Sequence, residues 1–445
     1  MSSSSSSLLN HLPPEILLYI FSYLPAHECV SSVSIVCKLF NRLLKEKTWW
    51  KARKKSIGIV LDRREEEKES FSLEKIICRG EIESARWSLL PKQKMYSMTA
   101  HFGTVNAVRL YSDVNGGKRC ISAGRDRTIR LWDIDRLMAD NGGPPLPSCS
   151  SSHCSSIHKS DEIDDTDDMI IHLSSTDLLN KSDRKELLYS VDLAHAGWIW
   201  QVTRPNSSRI CYTSGWDCIV KRWNITPSCL RESGRLNLSS AVVGLDWIDG
   251  SENELVCSTF LRRVCLIDVR DSEMKSIAEH NEHRNAVIGV ASKGDYVCSW
   301  GEDRLIVMCD KRKMDTPIAQ TKLPRSYVSQ LSIGPTSITA GSAKGECFYL
   351  DPVSLESWGS FVANPKAEAV RGIVNTGYSI VTLSKLGKIN AFSYGLNPQP
   401  LMTSHDFAVE PSRMDHINGD IIVAVGDGRL VFWPKPNKGE IQSLQ

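Results

Sequence analysis

The sequence lacks the features of a membrane, secreted or nucleic-acid-binding protein. No apolar stretch approaches the ~18 residues that span a bilayer, and the serine-rich start has neither the basic region nor the long apolar region of a secretion signal. The 54 basic and 52 acidic residues leave a net charge of +2, too small to attract nucleic acid or an anionic membrane. We therefore expect a soluble chain of the cytoplasm, the nucleus or both.

Motifs for catalysis and metal binding are also missing. The 14 cysteines include no Cys-x-x-Cys pair, and several fall in predicted strands, as small buried thiols do. There is no catalytic cysteine with a paired histidine and no Gly-rich phosphate loop. Cys149, His153, Cys154 and His158 have ligand-like side chains, but no second cluster supports a zinc site. We expect no enzymatic activity, no metal and no cofactor.

A repeat fills most of the chain. Seven short apolar runs end on a Trp-Asp-like pair, and after a long first interval the ends follow one another every 41–44 residues. The ends are Asp133, Asn224, Asp268, Asp310, Asp351, Ser393 and Pro434. A period of this length with four short strands per unit is typical of a propeller blade. We therefore expect most of the chain to form a binding surface rather than a catalytic site.

The two strongest repeats resemble the WD-repeat family. In such a blade a turn Asp accepts a hydrogen bond from a His, which bonds a Ser or Thr that reaches the Trp indole, so each buried polar group has a partner. His101, Ser122, Asp126 and Trp132 fill the four places in one repeat, and His195, Thr213, Asp217 and Trp223 fill them in the next. The resemblance implies that these histidines are structural, not metal ligands or acid–base groups.

The long first interval has two interpretations. Residues 136–186 are rich in Ser, Gly, Pro and acidic side chains, a composition that favours a disordered insertion in a seven-bladed, all-β propeller. The alternative is a degenerate eighth blade. Ser160, next to acidic residues, is a candidate kinase site. As a link after a Trp-Asp strand, the insertion is expected on the face where the N-terminal linker enters.

The first 50 residues follow a helical pattern instead. Two apolar runs are present, comprising Leu12, Ile16, Leu17, Ile20 and Leu24 and then Val33, Val36, Cys37, Phe40 and Leu43, with Pro13 and Pro14 at the start and Trp49 and Trp50 at the end. From the residues alone, two interpretations are equally possible. The helices could form a cap packed on the propeller, or an exposed bundle that binds a partner.

These two runs resemble an F-box along nearly its whole length, upstream of WD repeats as in the F-box/WD-repeat adaptors. The resemblance implies a substrate-recognition subunit of a ubiquitin ligase, bound to a Skp1-like linker protein and through it to a cullin. The residues that it implies for the Skp1 contact are Leu12, Pro13, Ile16, Leu17, Ile20, Leu24, Val36 and Cys37.

The chain thus divides into an F-box over residues 8–55, a helical linker over 56–93 and a propeller over 94–445. We expect Lys94–Met98 to supply the outer strand of the last blade, which would close the ring. Because the dimerising members of the family carry a helical segment ahead of the F-box, and only a serine tract precedes Leu12, we expect a monomer.

Two positions in each repeat predict the substrate surface: the residue before the turn Asp and the residue just inside the first strand. The candidates are Arg125, Trp200, Trp216, Phe260, Arg371 and Lys385. Few cations converge there, whereas a phosphorylated degron needs several arginines. The rings suit an apolar or aromatic anchor, unless they pack between blades.

We therefore predict a non-enzymatic substrate adaptor whose propeller binds the protein to be ubiquitinated. The alternative is an F-box/WD scaffold that assembles a complex without directing ubiquitination. A third hypothesis, an enzyme that uses the central channel, is supported by no constellation of catalytic residues.

Overall fold

The structure is a computed structural model that describes residues 12–57, 73–139, 186–205, 209–226, 229–251, 253–395, 397–404, 407 and 409–436. The described part begins with short helices, continues through one long helix and ends in a propeller. None of its helices combines the length and the apolar character needed to cross a bilayer.

The N-terminal helices are short because prolines and extended residues interrupt them. They are α1 (Pro14–Ser22), α2 (Ala26–Glu28), a π-helical turn (Cys29–Val33), α3 (Ser34–Val36), α4 (Lys38–Leu44) and α5 (Lys47–Ile57). Pro14 occupies the first turn of α1, where its missing N–H is not needed. Cys37 is extended and ends α3, and its Sγ accepts the Phe40 N–H at 3.5 Å, which caps α4.

A longer helix, α6 (Leu73–Leu89), joins these helices to the propeller and is followed by a 3₁₀ turn (Leu90–Lys92). Its first half completes the helical core, where Leu73 and Ile77 pack beside Leu17 and Trp50. Its last turn packs on the propeller, where Trp87 lies in a cluster with residues of the last two blades. One helix therefore carries apolar side chains into two separate cores.

Seven four-stranded antiparallel sheets form the propeller. The first blade contains β2 (Val105–Ser112), β3 (Lys118–Gly124), β4 (Ile129–Asp133) and β5 (Leu187–Val191). The second contains β6 (Ile199–Thr203), β7 (Ile210–Gly215), β8 (Ile219–Ile225) and β9 (Leu230–Asn237). The third contains β10 (Val242–Trp247), β11 (Glu254–Thr259), β12 (Val264–Asp268) and β13 (Lys275–His280). A short helix, α7 (Ile134–Ala139), follows β4.

The other four blades repeat this pattern. They are β14 (Val287–Lys293), β15 (Tyr296–Gly301), β16 (Leu305–Asp310) and β17 (Lys313–Lys322); β18 (Val328–Ile333), β19 (Ile338–Ser342), β20 (Glu346–Leu350) and β21 (Ser357–Val362); β22 (Val370–Asn375), β23 (Ser379–Ser384), β24 (Ile389–Ser393) and β25 (Pro400–Thr403); β26 (Pro411–Ile417), β27 (Asp420–Val425), β28 (Arg429–Trp433) and β1 (Tyr96–Thr99).

The ring is closed by β1, which pairs with β28 in the last blade, Tyr96 opposite Phe432 and Thr99 opposite Arg429. The expectation that the start of the propeller supplies this strand is confirmed. The inner strands form a closed circle in which β2 lies between β6 and β26. The propeller is therefore seven-bladed, and the eighth-blade alternative is wrong.

The long first interval falls between β4 and β5, which pair directly within the first blade. Residues 140–185, which include Ser160 and the Cys149, His153, Cys154 and His158 group, lie outside the described residues. The link leaves β4 beside Arg119, next to the turn from β2 to β3. We call the face that carries these first-to-second-strand turns the lower face, and the opposite face the upper face.

The polar network expected inside the blades is present. In the first blade the Trp132 indole N–H donates to Ser122 Oγ at 2.8 Å, Ser122 Oγ lies 2.7 Å from His101 Nε2, and His101 Nδ1 donates to Asp126 at 2.9 Å. Burial lowers the pKa of His101, which favours the neutral ring. The hydrogen bond from Nδ1 to Asp126 leaves Nε2 to accept from Ser122.

The same network recurs in the second blade and, in part, in the fourth. His195, Thr213, Asp217 and Trp223 repeat the distances of the first blade to within about 0.1 Å. His283 contacts Ser299 at 2.9 Å and Asp303 at 3.2 Å. These histidines are occupied by structural partners.

Polar contacts hold α6 between the helical core and the propeller. Glu81 accepts from Arg53 Nε at 2.8 Å and from the Ala26 N–H at 2.6 Å. Two residues further along, and therefore on nearly the opposite side of the helix, Glu83 accepts from the hydroxyls of Thr376 and Ser379 on the lower face.

Trp87 adds a third contact, since its indole donates to Ser379 Oγ at 2.7 Å while its ring lies 6.0 Å from that of His416. Helix α6 therefore meets the lower face, the face from which the link after β4 departs.

His280, at the end of β13, predicts how stability depends on pH. It is 4% exposed, and neither ring nitrogen hydrogen-bonds to a described residue. Burial, reinforced by His283, lowers its pKa from 6.5 to about 4. Between these two pH values the unfolded chain binds a proton at His280 that the folded chain does not bind. The contribution of His280 to the free energy of unfolding therefore keeps its full value above pH 6.5 and decreases as the pH falls below 6.5.

We expect His280→Leu to reduce the loss of unfolding free energy between pH 7 and pH 5 by about 2 kcal/mol. Chemical denaturation of the full chain at both pH values measures the difference. Comparison of the variant with the parent chain at pH 7.5, where His280 is neutral in both states, isolates the effect of altered packing. An unchanged loss between pH 7 and pH 5 would contradict the prediction.

Candidate binding surfaces on the helices and at the propeller mouth

Helix α1 is apolar on two faces. Leu17 and Phe21 point into the helical core and are at most 4% exposed. The opposite stripe is Ile16, Tyr19, Ile20 and Tyr23, spaced three and four residues apart, with 37–72% of each side chain exposed. A helix that is apolar on both faces normally has a partner on each. The second face of α1 is therefore a candidate protein-binding surface.

The residues predicted to bind Skp1 divide into three groups. Pro13, Ile16, Ile20 and Val36 are exposed, Leu12, Leu24 and Cys37 are partly buried against the helical core, and Leu17 is fully buried. The fully buried Leu17 presents no surface, and its place is beneath the exposed stripe. The prediction omitted Tyr19, Tyr23 and Ile35, although the spacing of the two tyrosines after Ile16 was visible in the sequence.

A second surface on the helices is a groove of about 740 Å³ between α3 and α4. Ile35 and Val36, 77% and 68% exposed, lie in it beside basic side chains of α4. The basic side chains are Lys38, Arg42 and Lys45. A partner that covers the groove must therefore offer apolar groups next to acidic ones.

On the upper face the central channel opens into a cavity of about 570 Å³, which we call the mouth. The inner strands and the second-to-third-strand turns of the blades line it. Five of the six predicted substrate-binding residues are among its lining: Arg125, Trp200, Trp216, Phe260 and Arg371. Lys385 lies outside the lining, although its Nζ is 4.0 Å from Glu410, which does line the mouth.

Three aromatic rings form one wall of the mouth. The Trp200 and Trp216 centroids are 6.0 Å apart, and Phe260 meets Trp216 edge to face at 5.5 Å. Trp216 is 46% exposed and Phe260 49% exposed, so these two rings face solvent and are not packed between blades. Trp200 is partly buried behind them. The wall offers an apolar anchor on adjacent blades.

The cations at the rim are largely engaged. Arg371 Nη2 is 2.5 Å from Glu410 Oε1, and Lys385 shares the same carboxylate. The Arg125 guanidinium stacks on Trp198 at 4.6 Å from the ring centroid. Glu302 adds a further negative charge to the lining. Glu410 could not be identified from the repeat pattern, because it precedes an inner strand and contacts a cation of the neighbouring blade.

Deeper in the channel the polar side chains are tied to one another. Asp415 accepts the Leu110 N–H at 2.6 Å and lies 3.8 Å from Arg109. Asp246 accepts the backbone N–H and the hydroxyl of Ser292 at 2.9 and 3.2 Å. Nowhere in the described ranges do three or more His, Cys, Asp or Glu side chains converge as a metal site would require.

Two family models match the chain. Residues 9–54 match the model described as F-box-like, and residues 92–133 match the model described as WD domain, G-beta repeat. The first match covers the helices with the exposed stripe, and the second covers β1 and the first three strands of the first blade.

Similar proteins share this arrangement. The chain is 28% identical to F-box/WD repeat-containing protein mec-15 of Caenorhabditis elegans over 96% of both chains. It is 24% identical to F-box/WD repeat-containing protein 9 of Homo sapiens over 78% of its own length and 65% of that protein. An F-box-like helical segment here precedes a seven-bladed propeller with WD-repeat networks, and the chain is similar over nearly its whole length to a protein named for the same two parts.

Proposed function

We propose that the chain is a substrate adaptor of a Skp1–cullin–F-box ubiquitin ligase, the general role of F-box/WD proteins. The α1 stripe and the α3–α4 groove bind a Skp1-like protein and through it a cullin, and the mouth holds the protein to be ubiquitinated. The chain itself is not an enzyme. The observation that carries the proposal is the second apolar face of α1, which no described part of the chain covers.

The position of the two surfaces supports this division of labour. Helix α6 docks on the lower face through Glu83 and Trp87, whereas the mouth opens on the upper face. A protein held at the mouth and a protein bound to α1 would therefore not compete for space. We propose that one copy of the chain acts in the assembly, in the cytoplasm, the nucleus or both.

The mouth supports an apolar anchor better than a phosphate site. A phosphate needs several free arginines to replace its lost hydration, but Arg371 is already paired with Glu410 and Arg125 stacks on Trp198. By contrast, Trp216 and Phe260 expose nearly half of their rings. Large aromatic side chains that become buried at a contact supply much of the binding energy of protein interfaces.

The helical surface gives the first test. Ile16→Asp with Val36→Asp places charges on the exposed apolar surface, and each buried apolar side chain contributes roughly 1.5–3 kcal/mol. We expect recovery of a Skp1-like protein with the full chain to fall at least tenfold.

The matched control is Ile318→Asp with Val362→Asp on the outer strands β17 and β21, where exposure is 45% and 57%. Equal recovery for the two double variants would refute the assignment. Recovery of Skp1 without a cullin, and without ubiquitin transfer to the proteins bound at the mouth, would favour the scaffold alternative.

The mouth gives the second test. We expect Trp216→Ala to remove about 2 kcal/mol or more of substrate affinity, because it deletes the middle ring of the aromatic wall. The measurement is quantitative recovery of proteins crosslinked to the full chain in proteasome-blocked cells, with and without phosphatase treatment. We expect phosphatase to have no large effect.

Phe102→Ala is the matched control, because Phe102 is 53% exposed beside Asp126 on the same face but does not line the mouth. Thermal unfolding must be unchanged, since Trp216 adjoins Asp217 of the blade network. If Arg125→Ala and Arg371→Ala are far more damaging than Trp216→Ala, and dephosphorylation abolishes recovery, the aromatic reading is replaced by a phosphate site.

A further inference from the structure

One charged side chain lies at the floor of the mouth. Each inner strand has a bulge near its start, and the residues one step beyond the bulges hold equivalent positions in the seven blades. They are Ala107, Gln201, Gly244, Gly289, Gln330, Gly372 and Arg413. Arg413 is the one charged residue at these seven described positions, and it lines the mouth.

Arg413 reaches past the first blade. Its Nη2 donates to Gln201 Oε1 at 2.9 Å, from the seventh blade to the second. No carboxylate of the described residues lies within ion-pair distance of Arg413. The nearby Asp415 is engaged by the Leu110 N–H and by Arg109.

The surroundings of Arg413 leave its charge poorly compensated. Burial lowers its pKa to about 10, and the nearby charge of Asp415 offsets only part of this effect. The guanidinium therefore stays charged at neutral pH. Because Arg413 is less exposed than Arg125 and Lys385, an anion that reaches it would be screened less by water than an anion at those two cations.

At the rim, by contrast, charges of both signs are mixed. Glu302 and Glu410 line it together with Arg125 and Arg371, and Glu410 already holds Arg371 and Lys385. Such a rim offers no excess of positive charge to a ligand with several negative charges, whereas a single carboxylate at the centre meets Arg413. The wall of Trp200, Trp216 and Phe260 beside it suits one large apolar side chain next to that carboxylate.

We propose that the mouth receives the carboxyl terminus of the substrate chain, with its terminal carboxylate on Arg413 and an apolar side chain of its last residues on the aromatic wall. This inference rests on the proposed adaptor function. A chain end enters a narrow cavity as one strand. An internal Asp or Glu would require the chain to enter and leave past Glu302 and Glu410.

The test compares two libraries of short random peptides on the purified full chain, one with free carboxyl termini and one with amidated termini. We expect binders from the free-carboxylate library alone, with large apolar residues close to the terminus. Arg413→Gln should weaken the selected peptides at least about tenfold, because it removes a charge-assisted hydrogen bond. Arg413→Lys should restore part of the affinity, since it keeps the charge but loses the planar fork.

Arg284→Gln is the matched control, an exposed arginine on the upper face outside the mouth. Equal binding of amidated peptides, a dependence on an internal Asp or Glu, full binding to Arg413→Gln, or the absence of binders would each overturn the inference. The comparison of the libraries on the parent chain decides the matter even if Arg413→Gln does not fold.

Failure of this inference is distinguishable from failure of the adaptor function. If proteins are still captured through Trp216 and ubiquitinated with Skp1 and cullin present, the adaptor function stands and only the terminal carboxylate is wrong. If free-terminus peptides bind but no Skp1-like protein is recovered with the full chain, the adaptor function fails and the peptide site stands.

Discussion

The pairing of β1 with β28 is the contact on which the rest of the structure depends. It joins Tyr96–Thr99 to the last blade and so closes a ring whose inner strands otherwise end at β26. Without it, the last blade would present the unpaired edge of β28, a surface prone to associate with other chains. Because β1 follows directly after α6 and the 3₁₀ turn, ring closure also fixes where the helical domain leaves the propeller.

Helix α6 also fixes how the helical domain is oriented on the propeller. Glu81 is bound by Arg53 and the Ala26 N–H in the helical domain, and Glu83 is bound by hydroxyls of the propeller. Two side chains of the same helical turn thus contact the helical domain and the propeller, and Trp87 adds a buried ring on the propeller side. Partners on the α1 stripe and at the mouth would therefore be held on opposite sides of one continuous body, which is what an adaptor needs if the distance between them is to stay constant.

Repeating features of the fold could be predicted from the sequence, whereas pairings particular to one blade could not. The blade period and the His101–Ser122–Asp126 network recur, so each copy supports the others. The contacts of Arg371 with Glu410 and of Arg413 with Gln201 join different blades through long side chains and follow no repeat. The burial of Leu17 beneath an exposed Ile16 depends on which face of α1 meets the core. The family pattern gives the helix but does not specify that face.

Charge compensation distinguishes the parts of the mouth more clearly than charge itself. The rim and the floor both carry arginine, but Arg371 is bound to Glu410, whereas Arg413 is held only by the neutral amide of Gln201. A paired cation gains little from a ligand, because a new anion must displace the existing partner. A partly buried cation that hydrogen-bonds to an amide has no such competitor. The aromatic wall adjoins the floor, so apolar and ionic contacts would be made by the same part of a ligand, and binding would require both at once.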